Sequence, residues 1–168
     1  DEEDTAYTTE APKNVGKYVI RITTAETDTF KAASSTMKFE IQPREITISD
    51  VKVADKTYDG TTEAKITNEG TLSANYDGDN LTIAIGSAAY DNKNVGTDKT
   101  VTFTGFALAG DAAANYELVA QPADTTADIT AKGITIVGAA VESSKVYDGT
   151  TEVKITNAGT LSDNYDGE

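Results

Sequence analysis

Short stretches of alternating hydrophobic and polar residues run through most of this chain. The first covers residues 18–23, where Tyr18, Ile20 and Ile22 occupy every second position. Because successive side chains of a strand point to opposite faces, this pattern predicts a β-strand with one buried face. Further stretches of the same kind begin near Met37, Glu45, Leu81, Thr100, Tyr116 and Ala127. The pattern therefore predicts an all-β protein.

Turn and loop residues separate the predicted strands. Residues 25–36 are mostly small and polar, which predicts a loop, and Pro43 interrupts strand pairing because it has no backbone N–H. The hydrophobic positions change parity after residues 45–48. A bulge or a strand break near Ser49 and Asp50 would restore both faces of the strand.

The number and length of the strands favour tandem, small antiparallel β-sandwich modules of the immunoglobulin-like type. A β-grasp arrangement is the alternative, and it needs a helix across the sheet. The only candidate for a helical turn lies in residues 107–115, with Asp111 as its predicted N-cap, and it is too short for that purpose.

One segment of the chain occurs twice. Residues 56–79 and 145–168 are identical at 19 of 24 positions, with a constant offset of 89 residues. A repeat this close indicates tandem modules. The repeat predicts a partial or small module in residues 1–44, a complete module in residues 45–132 and the first part of a further module in residues 133–168.

Both copies contain the motif Lys-x-Tyr-Asp-Gly-Thr-Thr. An Asp-Gly pair between strand-like flanks predicts a hairpin turn with Gly60 in the left-handed region, followed by a return strand in residues 61–67 with Ile66 as its core residue. We expect Asp59 to bind the turn backbone, and Tyr58 to lay its ring over the module edge with its hydroxyl on a backbone group. An exposed aromatic contact for a glycan or a protein is the alternative role of Tyr58.

The order of these motifs resembles the YDG module of bacterial surface proteins. The likeness starts at the Tyr-Asp-Gly motif and continues through residues 92–96, 108–116 and 127–130. Residues 10–48 resemble the related MBG module, mainly in residues 14–18 and 39–41. The resemblance implies a repeated β-rich module of a secreted or surface-anchored, adhesin-like protein. It implies no ligand and carries over no functional residues.

Charge and composition narrow the range of functions. The net charge of −14 is spread along the chain and repels phosphate backbones, so we expect no nucleic-acid partner. The chain lacks Cys and His, and it has neither a nucleophile-elbow motif nor a Gly-rich phosphate loop. No apolar run approaches the roughly 20 residues that span a bilayer. We therefore expect a non-enzyme without a cofactor or a membrane span in this segment.

The sequence contains candidate residues for two further kinds of chemistry. Asp77, Asp79 and Asn80 are neighbouring oxygen ligands that could suit calcium, although a polar turn explains them equally well, and we assign no metal site. Lys65 and Lys154 occupy equivalent positions and are candidates for an isopeptide crosslink to Asn or Asp. Lys65, however, has the opposite parity to the core residue that follows it, so we expect it to face solvent.

The leading functional prediction is a non-catalytic stalk or spacer for cell adhesion, located outside the cell, whose partners are neighbouring modules. Binding of carbohydrate or host protein is the alternative, and it would require exposed Tyr or Phe around a concave surface. Residues 1–44 and 133–168 resemble complementary parts of a module. Their unpaired strands could therefore join two chains head to tail, unless residues 1–44 form a complete small domain.

Overall fold

The computed structural model describes residues 7–76 and 78–163 of the 168-residue chain. Within them the secondary structure consists of short strands and a single 3-10 turn, Ala113–Asn115, so the all-β prediction is confirmed. The strands are β1 (Gly16–Thr24), β2 (Ala33–Ile41), β3 (Arg44–Ile46), β4 (Ile48–Ser49), β5 (Lys52–Val53), β6 (Lys56–Thr57), β7 (Ile66–Asn68), β8 (Thr71–Leu72), β9 (Thr82–Ala84), β10 (Ser87–Tyr90), β11 (Gly96–Thr104), β12 (Ala107–Ala109), β13 (Tyr116–Leu118), β14 (Thr125–Thr130), β15 (Ile136–Val137), β16 (Ala140–Val141), β17 (Ile155–Asn157) and β18 (Thr160–Leu161).

The fold consists of two compact units, and each unit is formed from segments that are not contiguous in the sequence. The first contains the residues up to Lys52 together with residues 66–87 and 103–123, and the second contains residues 53–65 and 88–102 and the residues from Asp124 onward. The boundaries that the repeat predicts, residues 1–44, 45–132 and 133–168, describe the periodicity of the sequence and stay a prediction.

The first unit has a small core around Ile46. Strands β3 and β13 pair in parallel, with Arg44 opposite Tyr116 and Ile46 opposite Leu118. Ile46 packs with Leu81, Ala112 and Tyr116, and half-buried apolar side chains surround this cluster. Strands β4 and β8 and strands β9 and β12 form antiparallel pairs in the same unit.

The second unit contains a four-stranded sheet in the order β10-β11-β14-β6. Strand β14 lies antiparallel to β11 and parallel to β6. The buried side chains of this sheet alternate along the strands, as the sequence pattern predicts, and they are Ala88, Tyr90, Val101, Phe103, Ala127 and Ile129. The pairs β15-β18 and β16-β17 complete this unit.

The expectation of purely antiparallel modules is wrong for two strand pairs, β3 with β13 and β6 with β14. In both pairs the partner strand is distant in sequence and runs in the same direction. A period-2 pattern shows which face of a strand is buried, but it contains no information about the direction of the neighbouring strand.

The hairpin β1–β2 confirms the two predicted N-terminal strands but differs from the prediction in two respects. Strand β2 begins at Ala33, so the predicted loop is shorter than residues 25–36. The predicted buried face is also wrong, because Ile20, Ile22 and Met37 are exposed. These two strands form a sheet of their own in the described part of the chain, and no further layer packs over their apolar side chains.

Three local predictions near turns have different outcomes. The predicted break after Ser49 is confirmed, because β4 ends there and Asp50 adopts a φ of 60°. The helical turn is confirmed as a single 3-10 turn, but Asp111 is not its N-cap. The N-cap residue is Ala112, and no side chain caps the turn.

No helix in residues 7–76 and 78–163 is long and apolar enough to cross a membrane.

Candidate functional site

The repeated Tyr-Asp-Gly motif forms a loop that closes around the ammonium group of Lys56. The Lys56 Nζ donates to Asp59 Oδ1 at 2.7 Å, to the Thr61 carbonyl at 2.8 Å, to Thr61 Oγ1 at 3.0 Å and to the Glu63 carbonyl at 3.0 Å. The side chain of Lys56 is mostly buried, whereas that of Asp59 is about half exposed. One cation therefore organises the backbone from Asp59 to Glu63.

The tight hairpin predicted across Asp59 and Gly60 is wrong, because the segments on either side of the turn pair with other strands. Strand β6 pairs in parallel with β14, and the next strand in the chain, β7, begins only at Ile66. The residues after the turn pair with β10 instead, because the Ala64 N–H donates to the Ala88 carbonyl and the Tyr90 N–H donates to the Thr62 carbonyl. Ile66, the predicted core residue, is half-buried.

Asp59 holds the turn in the way that the sequence predicts. Its Oδ1 accepts bonds from the Thr61 N–H at 2.9 Å and from Thr61 Oγ1 at 2.8 Å, and Gly60 has a φ of 76°. The hydrogen bond from Lys56, followed by the bond from the Thr61 N–H, lowers the pKa of Asp59 from 3.8 to about 2. The carboxylate is thus stabilised in its charged form.

The lowered pKa of Asp59 predicts a loss of stability in acid. A carboxyl group whose pKa is lower in the folded state stabilises that state above its unfolded pKa, and the contribution disappears as the pH falls through the folded pKa. We therefore expect the urea midpoints of the wild type and of Asp59→Asn to differ at pH 6 and to converge between about pH 4 and pH 2. The effect is modest because solvent screens this half-exposed group.

Glu26→Gln, in the exposed loop between β1 and β2, is the control for removal of one negative charge. Its urea midpoint is expected to follow that of the wild type through the same pH window. A difference between wild type and Asp59→Asn that stays constant from pH 6 to pH 2 would contradict the role given to Asp59.

A buried tyrosine lies under the closed loop. The ammonium of Lys56 is 5.5 Å from the centroid of the Tyr90 ring, within the range of a cation–π interaction. The Tyr90 hydroxyl lies 3.0 Å from the Ala54 carbonyl and 3.3 Å from the Asp128 carbonyl, both of which can accept its proton. Burial, followed by the charges of nearby carboxylates, raises the pKa of Tyr90, which therefore stays a neutral donor.

The second copy of the motif forms the same loop. Lys145 Nζ donates to Asp148 Oδ1 at 3.0 Å, to the Thr150 carbonyl at 2.9 Å, to Thr150 Oγ1 at 3.0 Å and to the Glu152 carbonyl at 2.7 Å. The Thr150 N–H and the Lys145 ammonium lower the pKa of Asp148. This copy is otherwise exposed, since Val146 and Tyr147 are 88% and 94% accessible. The loop therefore forms in two different surroundings.

The lysine and the threonine that close each loop were not among the residues predicted from the sequence. Lys56 and Thr61 are identical to their counterparts in the second copy, and this shared identity was the signal that could have revealed them. The local role of Asp59 and the conformation of Gly60 are confirmed. Tyr58 is half-buried and its backbone N–H donates to the Thr130 carbonyl, whereas the proposed role of its hydroxyl stays a prediction.

The residues considered for calcium have other partners where the structure describes them. Tyr116 donates its hydroxyl proton to Asp79 Oδ2 at 2.5 Å, and this hydrogen bond is the main cause of a raised pKa of Tyr116. The Asn80 amide lies 3.5 Å from an oxygen of Asp111, and Asp77 lies outside the described residues. Across the two described ranges, no group of three or more acidic side chains is arranged to hold a metal ion.

The two lysines considered for an isopeptide crosslink are both exposed. Lys65 faces solvent, as its parity predicts, and Lys154 does the same in the second copy. The backbone at these positions pairs regularly, because the Lys65 carbonyl accepts the Ala54 N–H and the Lys154 carbonyl accepts the Glu142 N–H. An isopeptide crosslink at these two lysines stays a prediction from the sequence.

A concave aromatic surface lies in the first unit, beside hairpin β1–β2. The rings of Tyr18 and Phe39 stack with their centroids 5.4 Å apart, and the guanidinium of Arg21 lies 5.2 Å from the centroid of the Tyr7 ring. These four residues line a groove together with residues 8–12. The groove combines flat apolar rings with charged groups, which is the type of surface that the binding alternative requires.

Comparison with known proteins gives one family match for this chain. The family model of the YDG domain matches residues 42–127, just over half of the chain. The matched residues contain the Lys56 loop, the core around Ile46 and the buried Tyr90. No curated protein and no solved structure matches this chain. The motif, the structure and the family match agree, and the chain belongs to the YDG domain family.

Proposed function

We propose that this chain is a non-catalytic spacer segment of a secreted or cell-surface, adhesin-like bacterial protein. The observation that carries the proposal is the repetition of one self-closed loop. Lys56 and Lys145 each make the same four contacts, 89 residues apart. In a spacer, repeats keep the same internal structure because their role is to add length, and stacked repeats contact their neighbours.

We propose further that the repeats are immunoglobulin-like sandwich modules in tandem. The short strands and the antiparallel pairs support this proposal. A β-grasp fold is less well supported, because the helical structure of the described residues amounts to a three-residue 3-10 turn. The net charge of −14 also favours a spacer, because mutual repulsion keeps crowded copies apart.

Small-angle scattering tests the spacer directly. The maximum dimension of the chain is compared with that of two copies joined end to end. A spacer is expected to become about twice as long, since each copy adds its own length along one axis. A joined pair that is no longer than a single copy would contradict the proposal.

The groove beside hairpin β1–β2 favours a second candidate function, the binding of carbohydrate or host protein. Its stacked Tyr18 and Phe39 rings offer a flat apolar surface to a sugar ring, and Arg21 offers hydrogen-bond donors nearby. An array of glycans and host matrix proteins, probed with the wild type and with Tyr18→Ala, tests this function. Binding that the substitution abolishes would support it, and a blank array would favour the spacer alone.

A further inference from the structure

We propose that the lysine of the Lys-x-Tyr-Asp-Gly-Thr-Thr motif protects the Asp-Gly bond of the same motif from isomerisation to isoaspartate. Asp59 and Asp148 are then modification sites that Lys56 and Lys145 keep from reacting. This role concerns the covalent stability of the chain and is independent of the function proposed above.

Isomerisation of an aspartate begins with an attack by the backbone nitrogen of the next residue. In the first copy, the Gly60 nitrogen would bond to Cγ of Asp59, and the hydroxyl of the protonated carboxyl would leave as water with the amide proton. A second water molecule then opens the resulting succinimide ring. When that water attacks the former main-chain carbonyl of Asp59, the chain is left running through the side-chain carbon, as isoaspartate. Water is the only other reactant.

The turn of the motif requires the residue pair that undergoes this reaction most readily. Gly60 has a φ of 76°, which favours glycine, and Asp59 supplies the oxygen that binds the Thr61 N–H. A glycine has no side chain to hinder the approach of its nitrogen to the neighbouring carboxyl. The Asp59 side chain is also about half exposed, so water reaches it. Without a further safeguard, we expect this pair to isomerise.

Three hydrogen bonds hold Asp59 in a form and a position that oppose the reaction. Its Oδ1 accepts from the Lys56 ammonium at 2.7 Å, from the Thr61 N–H at 2.9 Å and from Thr61 Oγ1 at 2.8 Å. The ammonium, followed by the Thr61 N–H, lowers the pKa of Asp59 to about 2, so the carboxyl is rarely protonated and its oxygen is a poor leaving group. The same bonds restrain the side-chain rotation that ring closure needs.

The second copy has the same three donors. Lys145 Nζ donates to Asp148 Oδ1 at 3.0 Å, and the Thr150 N–H and Oγ1 each donate to that oxygen at 2.9 Å. The Thr150 N–H, followed by the Lys145 ammonium, lowers the pKa of Asp148. Each copy of the motif therefore combines a susceptible Asp-Gly pair with a lysine that keeps its carboxylate charged.

The sequence also contains the tripeptide without its lysine. Residues 76–78 read Tyr-Asp-Gly, but Ala74 stands in the position of the lysine and Asp79 in that of the threonine. An alanine and an ionised aspartate have no side-chain donors for the intervening carboxylate. In the wild type we therefore expect isoaspartate to accumulate several-fold faster at Asp77 than at Asp59. Equal rates at these two sites would contradict the proposal.

Peptide mapping of aged protein measures isomerisation at each site. The wild type, Lys56→Met and Lys145→Met are kept for several weeks at mildly acidic pH and then digested. Chromatography separates the aspartate and isoaspartate forms of each peptide, which have equal mass, and fragmentation in the mass spectrometer identifies them. We expect Lys56→Met to raise the rate several-fold at Asp59 and to leave Asp148 unchanged, and Lys145→Met to do the converse. Each variant thus contains the unaltered copy as its own reference.

Ile46→Ala is the control for a general loss of stability, because it removes a buried side chain from the core of the first unit and leaves both lysines in place. It is expected to isomerise at Asp59 and Asp148 as slowly as the wild type. A Lys56→Met variant that isomerises at Asp59 no faster than the wild type would overturn the proposal. An equal rise at both copies, or a similar rise in Ile46→Ala, would also overturn it, because partial unfolding would then be the cause.

Discussion

Replacement of Ile46 by alanine is expected to lower the free energy of unfolding by about 2–5 kcal/mol, whereas the same replacement at Ile134 is expected to cost less than about 1 kcal/mol. The two residues are equivalent, since Ile-Thr-Ile occurs at residues 46–48 and 134–136. Ile46 is buried against Leu81 and Tyr116, so its truncation leaves a cavity. Ile134 is half exposed, and water can fill the space that its side chain leaves.

Urea unfolding of the two variants, followed by circular dichroism, measures this difference. The pair is well matched, because the substitution and the Ile-Thr-Ile segment are the same and the burial of the side chain differs. Equal losses at both positions would mean that Ile134 is covered in solution as Ile46 is. Such a result would contradict the burial difference between the two copies of the repeat.

Replacement of Lys56 by methionine is expected to cost about 1–3 kcal/mol, because it removes the donor that binds three residues of the loop. Methionine keeps most of the apolar stem of the side chain, so the loss of stability measures the contribution of the ammonium group. Lys56→Arg is not expected to restore stability. A planar guanidinium cannot reproduce the compact set of bonds that an ammonium makes here.

The matched control for this prediction is Lys145→Met in the second loop. Lys145 makes the same four bonds, but its loop carries no paired strand, so we expect a loss below about 1 kcal/mol. The midpoint of urea unfolding again provides the measurement. A Lys56→Met variant as stable as the wild type would show that the loop does not depend on its lysine.

Much of the local structure follows from the sequence alone. The loop of the Tyr-Asp-Gly motif has the same hydrogen bonds at Lys56 and at Lys145, although the first is packed in a unit and the second is exposed. Its contacts span at most seven residues, so a short segment contains all the groups that form it. The break at Asp50 and the left-handed Gly60 are determined in the same local way.

Burial and strand direction, in contrast, depend on residues far away in the chain. The alternation at Ile20 and Ile22 predicts a buried face as clearly as the alternation at Val101 does, yet only Val101 is buried. The parallel pairing of β6 with β14 joins residues that are 73 positions apart, Lys56 and Ile129. A hydrophobic pattern indicates which face of a strand could be buried. Whether that face is buried depends on whether the tertiary structure packs another layer against it. The physical reason is that apolar side chains are stabilised only when a partner surface removes them from water.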